Sequence, residues 1–577
     1  MATSDTKTSD TVVTSTLLPN PLLKEKTSLK LWWRSGEPWI WLTATAVGTS
    51  LVAVIGLLAL LAVKGLAHFW PSTVYQVEFE NELGKHIVLG EISDRESISR
   101  RQYLEATLSD EEELPEQIDR ILFKTGNRQV DPPDFRWVFS HHITQQETPE
   151  DVVVIERMEW GNAYAYLDGV AENGVLITNT EDLWSEFQAR IERSAALLTQ
   201  QSELIDGDVN AINYRLEQLR LDRRRQQLQN PDGVQDFSDI EQEEAELRAQ
   251  YQEIETEIRG LSDALNRDEI HLRTAGGKDL HVSLSEVVQA WRPNDMSIWS
   301  KLGMYFKNIW HFLSDNPREA NTEGGIFPAL FGTVLMVMLM SLFVTPFGVV
   351  AALYLREYAK QGPLVQLVRI AVNNLAGVPS IVYGVFGLGF FVYLMGGTID
   401  DLFFPEAKPA PTFGTPGLLW ASLTLALLTV PVVIVSTEEG LTRIPKSVRE
   451  GSLALGATKA ETIFKIILPM ASPSILTGMI LAVARAAGEV APLMLVGVVK
   501  LAPNLPVDGN FPFLHLDRKF MHLGFHIYDV GFQSPNVDAA RPLVFATALL
   551  LVLIIVLLNL TAIMLRNRLE ARFRLDS

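Results

Sequence analysis

Six runs of apolar residues constrain this chain before anything else does, because each falls in or above the range of about 17–25 residues that a helix needs to cross a hydrocarbon core. They are Trp39–Val63, Ile326–Leu355, Val378–Met395, Leu418–Val435, Met470–Val499 and Leu543–Met564. A bilayer offers the backbone no water, so such runs are expected to be helices that face lipid or one another. Trp39–Val63 is too long for a signal-peptide core and starts far from the N-terminus, so it reads as an uncleaved anchor. Trp32, Trp33, Trp39 and Trp41 would lie at the interface, where indole rings prefer to sit.

Charge divides the chain. Residues 71–326 hold 50 of its 69 acidic residues but only 25 of its 49 Lys and Arg, so the remainder is slightly basic. An acidic block is therefore inserted between the first and second spans. Within it, VYQVEF, HIVLGEI, FRWVFS and DVVVIE between Val74 and Thr178 predict short strands, as do DEIHLRT and LHVSLS near its end. Leu183–Gln229 has helical spacing of Ile205, Val209, Ile212, Leu216 and Leu219, stopped by Asn230-Pro231-Asp232-Gly233. A second helix sets Ile240, Leu247, Tyr251, Ile254, Ile258, Leu261 and Leu265 at heptad spacing. Together they predict an antiparallel coiled-coil hairpin over about residues 183–266. Arg223–Arg225 reads as a solvated helix face, and His141 and His142 as surface residues without metal-ligand spacing. The amphipathic stretch Ile298–Phe312, with Trp299, Tyr305, Phe306 and Trp310, is expected along the interface.

Cations cluster beside the first span, over Arg356–Arg369, over Arg443–Lys465 and after Arg566. With six spans these positions share one side, which the positive-inside rule makes the cytoplasm, and the acidic block falls on the other. The expected layout is a mobile cytoplasmic tail over 1–36, a first transmembrane helix over 37–66 and an extracytoplasmic α+β domain over 67–297. An interfacial helix and linker over 298–325, a five-helix core over 326–566 with a cytoplasmic loop at 437–469, and a cytoplasmic tail over 567–577 complete it.

Inside the run Met470–Val499 the only charges are Arg485 and Glu489. Each costs roughly 2.5–3.5 kcal/mol at bilayer depth, so the pair needs a reason. One reason is an ion pair four residues apart that hides both charges, although Arg before Glu is the weaker order on a helix. The other is an anion path, since a guanidinium offers a planar fork of donors to oxyanion oxygens. Gly478, Ala482, Ala484, Ala486, Ala487 and Gly488 leave room for a close neighbour or ligand.

Just upstream, Ser447 with Glu450 and Thr458 with Glu461 have capping-box spacing, which predicts two short helices broken at Gly456. Ile463, Phe464, Ile466 and Ile467 give the second an apolar side. The order Glu450, Gly456, then Ile466-Ile467-Leu468-Pro469 resembles the EAA loop of ABC-importer permeases, with Gly451 and Ser452 where two alanines are usual. ARAAGEVAPL at 484–493, NLAGVPSIVYGVFGL at 374–388 and GGIFPALFGT at 324–333 resemble PstA-type phosphate permeases. This likeness covers roughly residues 324–566 and leaves the acidic block unexplained.

The resemblance implies a type I ABC-importer permease fold in a bacterial inner membrane, importing inorganic phosphate. Arg485 and Glu489 would line the substrate pathway, while Glu450, Gly456, Ala457, Phe464, Leu468 and Pro469 would couple to the ATPase. Implied partners are a second, PstC-type permease, a PstB-type ATPase dimer and a periplasmic PstS-type phosphate-binding protein, in membrane lipid and without nucleic acid. No cofactor is expected on this chain, and ATP would be hydrolysed by the partner. Gly276-Gly277-Lys278 is followed by Asp279, so no Walker A motif forms. Zero cysteines exclude disulfides and cysteine-ligated metal. Alternatives are import of another oxyanion, such as sulfate or molybdate, and a membrane-anchored sensor. A sensor needs one span and a cytoplasmic output domain, whereas five spans follow the acidic block here.

Overall fold

The computed structural model describes residues 32–33, 35–81, 84–107, 115–178, 182–231, 236–534 and 537–575. The expected tail with Lys24, Lys26, Lys30 and Arg34 lies almost wholly outside the described residues, as do Asp232 and Gly233 of the expected turn. The chain forms two units, Met1–Leu60 and Leu61–Ser577. Most of what is described in the first is an apolar helix, which runs Glu37–Ala67 and so ends in the second unit.

In the second unit, residues 74–291 build two antiparallel sheets. Strands β1 (Val74–Asn81), β2 (Gly84–Ser99), β3 (Gln117–Lys124), β4 (Phe135–Phe139) and β5 (Ile143–Glu147) make one, in the order β4-β3-β2-β1-β5. Strands β6 (Val152–Arg157), β7 (Ala163–Glu172), β8 (Val175–Ile177), β9 (Asp268–Arg273), β10 (Asp279–Ser283) and β11 (Val287–Trp291) make the other. Its order is β10-β9-β7-β6-β11, with β8 beside β7. The sheets share a small core in which Val74 and Leu89 meet Val152, Val154 and Tyr164. Alternate residues of β9 and β10, namely Ile270, Leu272, Leu280 and Val282, bury against Phe187 and Ile191 of the helix Leu183–Glu203.

That helix continues through a π-helical turn, Leu204–Val209, into Asn210–Gln229, and Ser238–Leu265 returns beside it. Arg215 with Glu243, and Arg223 with Glu241 at 3.1 Å, tie the two arms together. The expected apolar seam is only partly inside. Ile212, Leu219, Ile240 and Leu265 are buried, but Ile205 and Tyr251 are exposed. The wide turn at Leu204–Val209 rotates Ile205 off the seam that a continuous helix would have kept. Arg223–Arg225 departs further from a solvated face, since Arg225 donates to Glu406 at 3.1 Å from Nε.

The helix Ile298–Ser314 leads back toward the membrane, burying Phe312 and exposing Trp299, Phe306 and Trp310. The expected linker after it is structured: Pro317–Arg318 pairs with Glu323–Gly324, Glu319 holds Arg128 of the β domain at 3.0 Å, and buried Asn321 donates to the Lys500 carbonyl at 2.8 Å.

Among the described residues, five more helices are long and apolar enough to cross a membrane: Phe327–Tyr358, Ser380–Phe403, Leu418–Arg443, Lys459–Gly488 and Ala540–Arg568. Leu418–Arg443 is central, packing on the spans before and after it through Leu425, Leu428, Val433 and their neighbours. A helix apolar all round is stable only when so enclosed or in lipid. The third span approaches closely because it has glycines. A Cβ on Gly384 would lie 2.7 Å from Pro492 Cα, and one on Gly387 would lie 2.2 Å from Thr424 Oγ1, whereas Gly389 faces open space. The last helix runs on as Val537–Leu575, so the expected tail from 567 is helical as far as described.

The second span fixes which parts are far apart. Its start at Phe327 follows the β domain, and at its other end Glu357 accepts from Arg449 at 3.0 Å. The acidic block and the loop around Glu450 therefore sit at opposite ends of one membrane helix.

Candidate functional site

The fifth span differs from the expected run Met470–Val499. It begins at Lys459 and stops at Gly488. Glu489 is extended (φ −81°, ψ 133°) and is followed by Pro492 and a short helix, Leu493–Val496. Gly488, a poor helix former, is the last helical residue, and Pro492, which has no N–H to give, lies just beyond the break. Arg485 and Glu489 thus flank a helix end in the permease core rather than sharing one turn.

Arg485 Nε lies 3.5 Å from Glu489 Oε1, and both side chains are partly accessible, at 35% and 21%. The Nε is buried without a hydrogen-bond acceptor. The charges are close enough to attract, while the Nε forms no hydrogen bond with the carboxylate among the described residues. The surroundings are small and close-packed. Ala482, Ala486 and Ala487 are buried around Arg485, Gly384 lies against Pro492, and Gly524 lies against Val490. Gly524 belongs to a short helix, Leu523–Tyr528, whose N-cap His522 and interior His526 are both buried. Burial without a compensating acid holds His522 down to about 3, and burial lowers His526 to about 4, so both imidazoles stay neutral near pH 7. Neither histidine stood out in the sequence, because nothing in the spacing of an isolated His signals burial.

At the other end of the span, Thr458 and Glu461 form the expected capping box: Thr458 Oγ1 accepts from Glu461 N at 3.2 Å, and the Glu461 carboxylate accepts from Thr458 N at 3.0 Å. The expected box at Ser447 and Glu450 does not form. The helix Lys446–Ala454 is preceded by Pro445, so Ser447 is already inside its first turn. Gly456 makes the break with φ +86°, a left-handed conformation that favours glycine, and its N–H donates to Leu453 O at 3.0 Å. Ile463 and Ile467 turn into a buried cluster with Leu353 and Leu441. Phe464 does not join them. It is 64% exposed, and Leu455 at 91% and Leu453 at 48% are exposed too. Glu450 is exposed as well, Ala457, Leu468 and Pro469 are half-buried, and Ser452 and Thr462 hydrogen-bond at 2.8 Å between the two short helices.

The loop around Gly456 and the charged helix end are therefore joined by one helix, Lys459–Gly488, about 45 Å long at 1.5 Å per residue. Six helices long and apolar enough to cross a membrane, among the described residues, define a polytopic helical membrane protein of the permease type. Residues 344–575 match the family described as "Binding-protein-dependent transport system inner membrane component". The chain is similar to the phosphate transport system permease protein PstA of Mycobacterium leprae, 36% identical over 194 residues, 33% of this chain and 58% of that one. It is similar to PstA 1 of Mycobacterium tuberculosis H37Rv, 32% identical over 253 residues, 44% of this chain and 73% of that one. PstA of Yersinia pestis is 32% identical over 251 residues, 44% of this chain and 75% of its own length. The chain belongs to this family of ABC-importer permeases, and its PstA-type relatives are phosphate permeases by name. The match to the Mycobacterium leprae relative spans less than two thirds of that protein, and none of these matches is long enough to take in both the acidic block and the whole permease core.

Proposed function

We propose that this chain is the translocating subunit of an ATP-driven importer of inorganic phosphate, working with a second permease, two ATPase subunits and an extracytoplasmic phosphate-binding protein. The observation that supports it most is the single helix Lys459–Gly488, which links an apolar, exposed docking corner to Arg485. Tilting of that rod by ATPase closure would move Arg485 and Glu489 from one accessible side to the other. The guanidinium would replace part of the anion's lost hydration, and Glu489 would keep the complex shallow enough for release. The docking loop would face the cytoplasm, where its lysines and arginines belong, and the acidic block would face outward.

The test is uptake by the assembled transporter in proteoliposomes. Arg485→Lys keeps the charge but loses the fork, so phosphate uptake should fall at least about tenfold. Uptake at the full rate would exclude bidentate recognition. Competition by sulfate or molybdate at equal concentration would move the proposal to another oxyanion, since all share tetrahedral oxygens.

A further inference from the structure

The hairpin β9–β10 has two unlike faces. Ile270, Leu272, Leu280 and Val282 occupy the inner one, so strand alternation sends Glu269, His271 and His281 to the outer one together. His271 and His281 are direct cross-strand partners, with ring centroids 4.1 Å apart and planes at 83°. His281 Nδ1 is 3.9 Å from Glu269 Oε1, and one ligand atom from each of the three residues lies within 4.8 Å of the others. On the next strand the position opposite His271 is Gly169, against which Leu176 packs, giving the cluster an apolar wall on one side. Arg273, next on the same face, is taken up by Asp168 and adds no free cation. None of these residues belongs to the spans or to the loop around Gly456.

We propose that Glu269, His271 and His281 bind a divalent transition-metal ion of the zinc class. Two imidazoles and one carboxylate suit zinc, nickel or copper, whereas calcium and magnesium take oxygen ligands. Ligand atoms about 2.0–2.2 Å from zinc stand roughly 3.4 Å apart in a tetrahedron. From the present spacing, side-chain rotation of little more than 1 Å closes the set, and all three side chains are at least partly exposed and free to make it. Three protein ligands leave a fourth position for water. Sequence spacing hides such a site, because His271 and His281 become neighbours only through strand register.

The full chain, purified in detergent and stripped with chelator, is titrated with Zn2+ by calorimetry and with Co2+ by visible absorption. One Zn2+ per chain should bind in the micromolar range or tighter, and Co2+ should give ligand-field bands of a nitrogen and oxygen site. His271→Ala and His281→Ala should each weaken binding at least about tenfold. Because both rings lie on the outer face, the metal-free melting temperature should not change. His141→Ala with His142→Ala should leave binding intact. No Zn2+ bound by the native chain, or equal binding by the His271→Ala/His281→Ala double variant, would overturn the proposal.

Discussion

Arg225, on the helical hairpin of the acidic block, pairs with Glu406, whose carboxylate is buried beyond the end of the third span. Tyr214, on the same arm, donates to the Phe511 carbonyl in the loop before the last span. The inserted domain is thus fastened across two loops of its own permease core.

Removing one partner of a buried pair leaves the other charge unmatched. Arg225→Ala should therefore destabilise the chain, by about 1–3 kcal/mol because Arg225 itself is half in solvent. The double variant Arg225→Ala/Glu406→Gln should recover most of the loss. Thermal melts in detergent read both effects, and additive losses would show that the pair is not coupled.

Leu455 and Phe464 are large apolar side chains that stay mostly exposed among the described residues. Leu455→Ser and Phe464→Ser should change the isolated subunit's stability by less than about 0.5 kcal/mol. The same changes should abolish copurification with the ATPase and stop uptake. Undiminished ATPase recovery from the double variant would move the docking surface elsewhere.

Glu489 faces Arg485 across the end of the fifth span. With Glu489→Gln, nothing offsets the guanidinium, so the anion should be held more tightly and released more slowly. Lower KM and lower kcat together, measured in proteoliposomes, are the expected signature.

Close packing of the third span makes its glycines unequal. Gly387→Val places branches against Thr424 and should cost about 1–3 kcal/mol, while Gly389→Val points into open space and should cost less than about 0.5 kcal/mol in melts.

His522 and His526 titrate at about 3 and about 4 in the folded chain, below the ordinary 6.5. Below pH 6.5 the unfolded chain binds protons that the folded chain refuses, so stability falls as pH drops toward those values and then levels off. At pH 5.5 each site should cost about 1.4 kcal/mol relative to neutral pH. His522→Gln should flatten the melting temperature between pH 7.5 and 5.5 compared with the native chain.

Different features of this molecule follow from different kinds of information. The runs Trp39–Val63 and Leu418–Val435 are legible because lipid requires a long uncharged stretch, a local and additive property. Thr458 with Glu461 and the turn at Gly456 are legible for the same reason, as each is settled within a few residues. Ser447 with Glu450 has the same spacing and fails, because Pro445 starts the helix two residues earlier.

What the sequence determined by itself was the number of spans, the acidic insertion, the position of Arg485 and Glu489 within the core, and the glycine-broken helix pair around Gly456, all written in composition or short-range order. Only the tertiary structure decided that the helix ends between those two charges, that Phe464 turns outward while Ile463 and Ile467 turn in, that Arg225 reaches Glu406, and that His271 meets His281. Contacts of that kind depend on register and close packing between segments far apart in the chain, and no local pattern records which distant surface a side chain will meet.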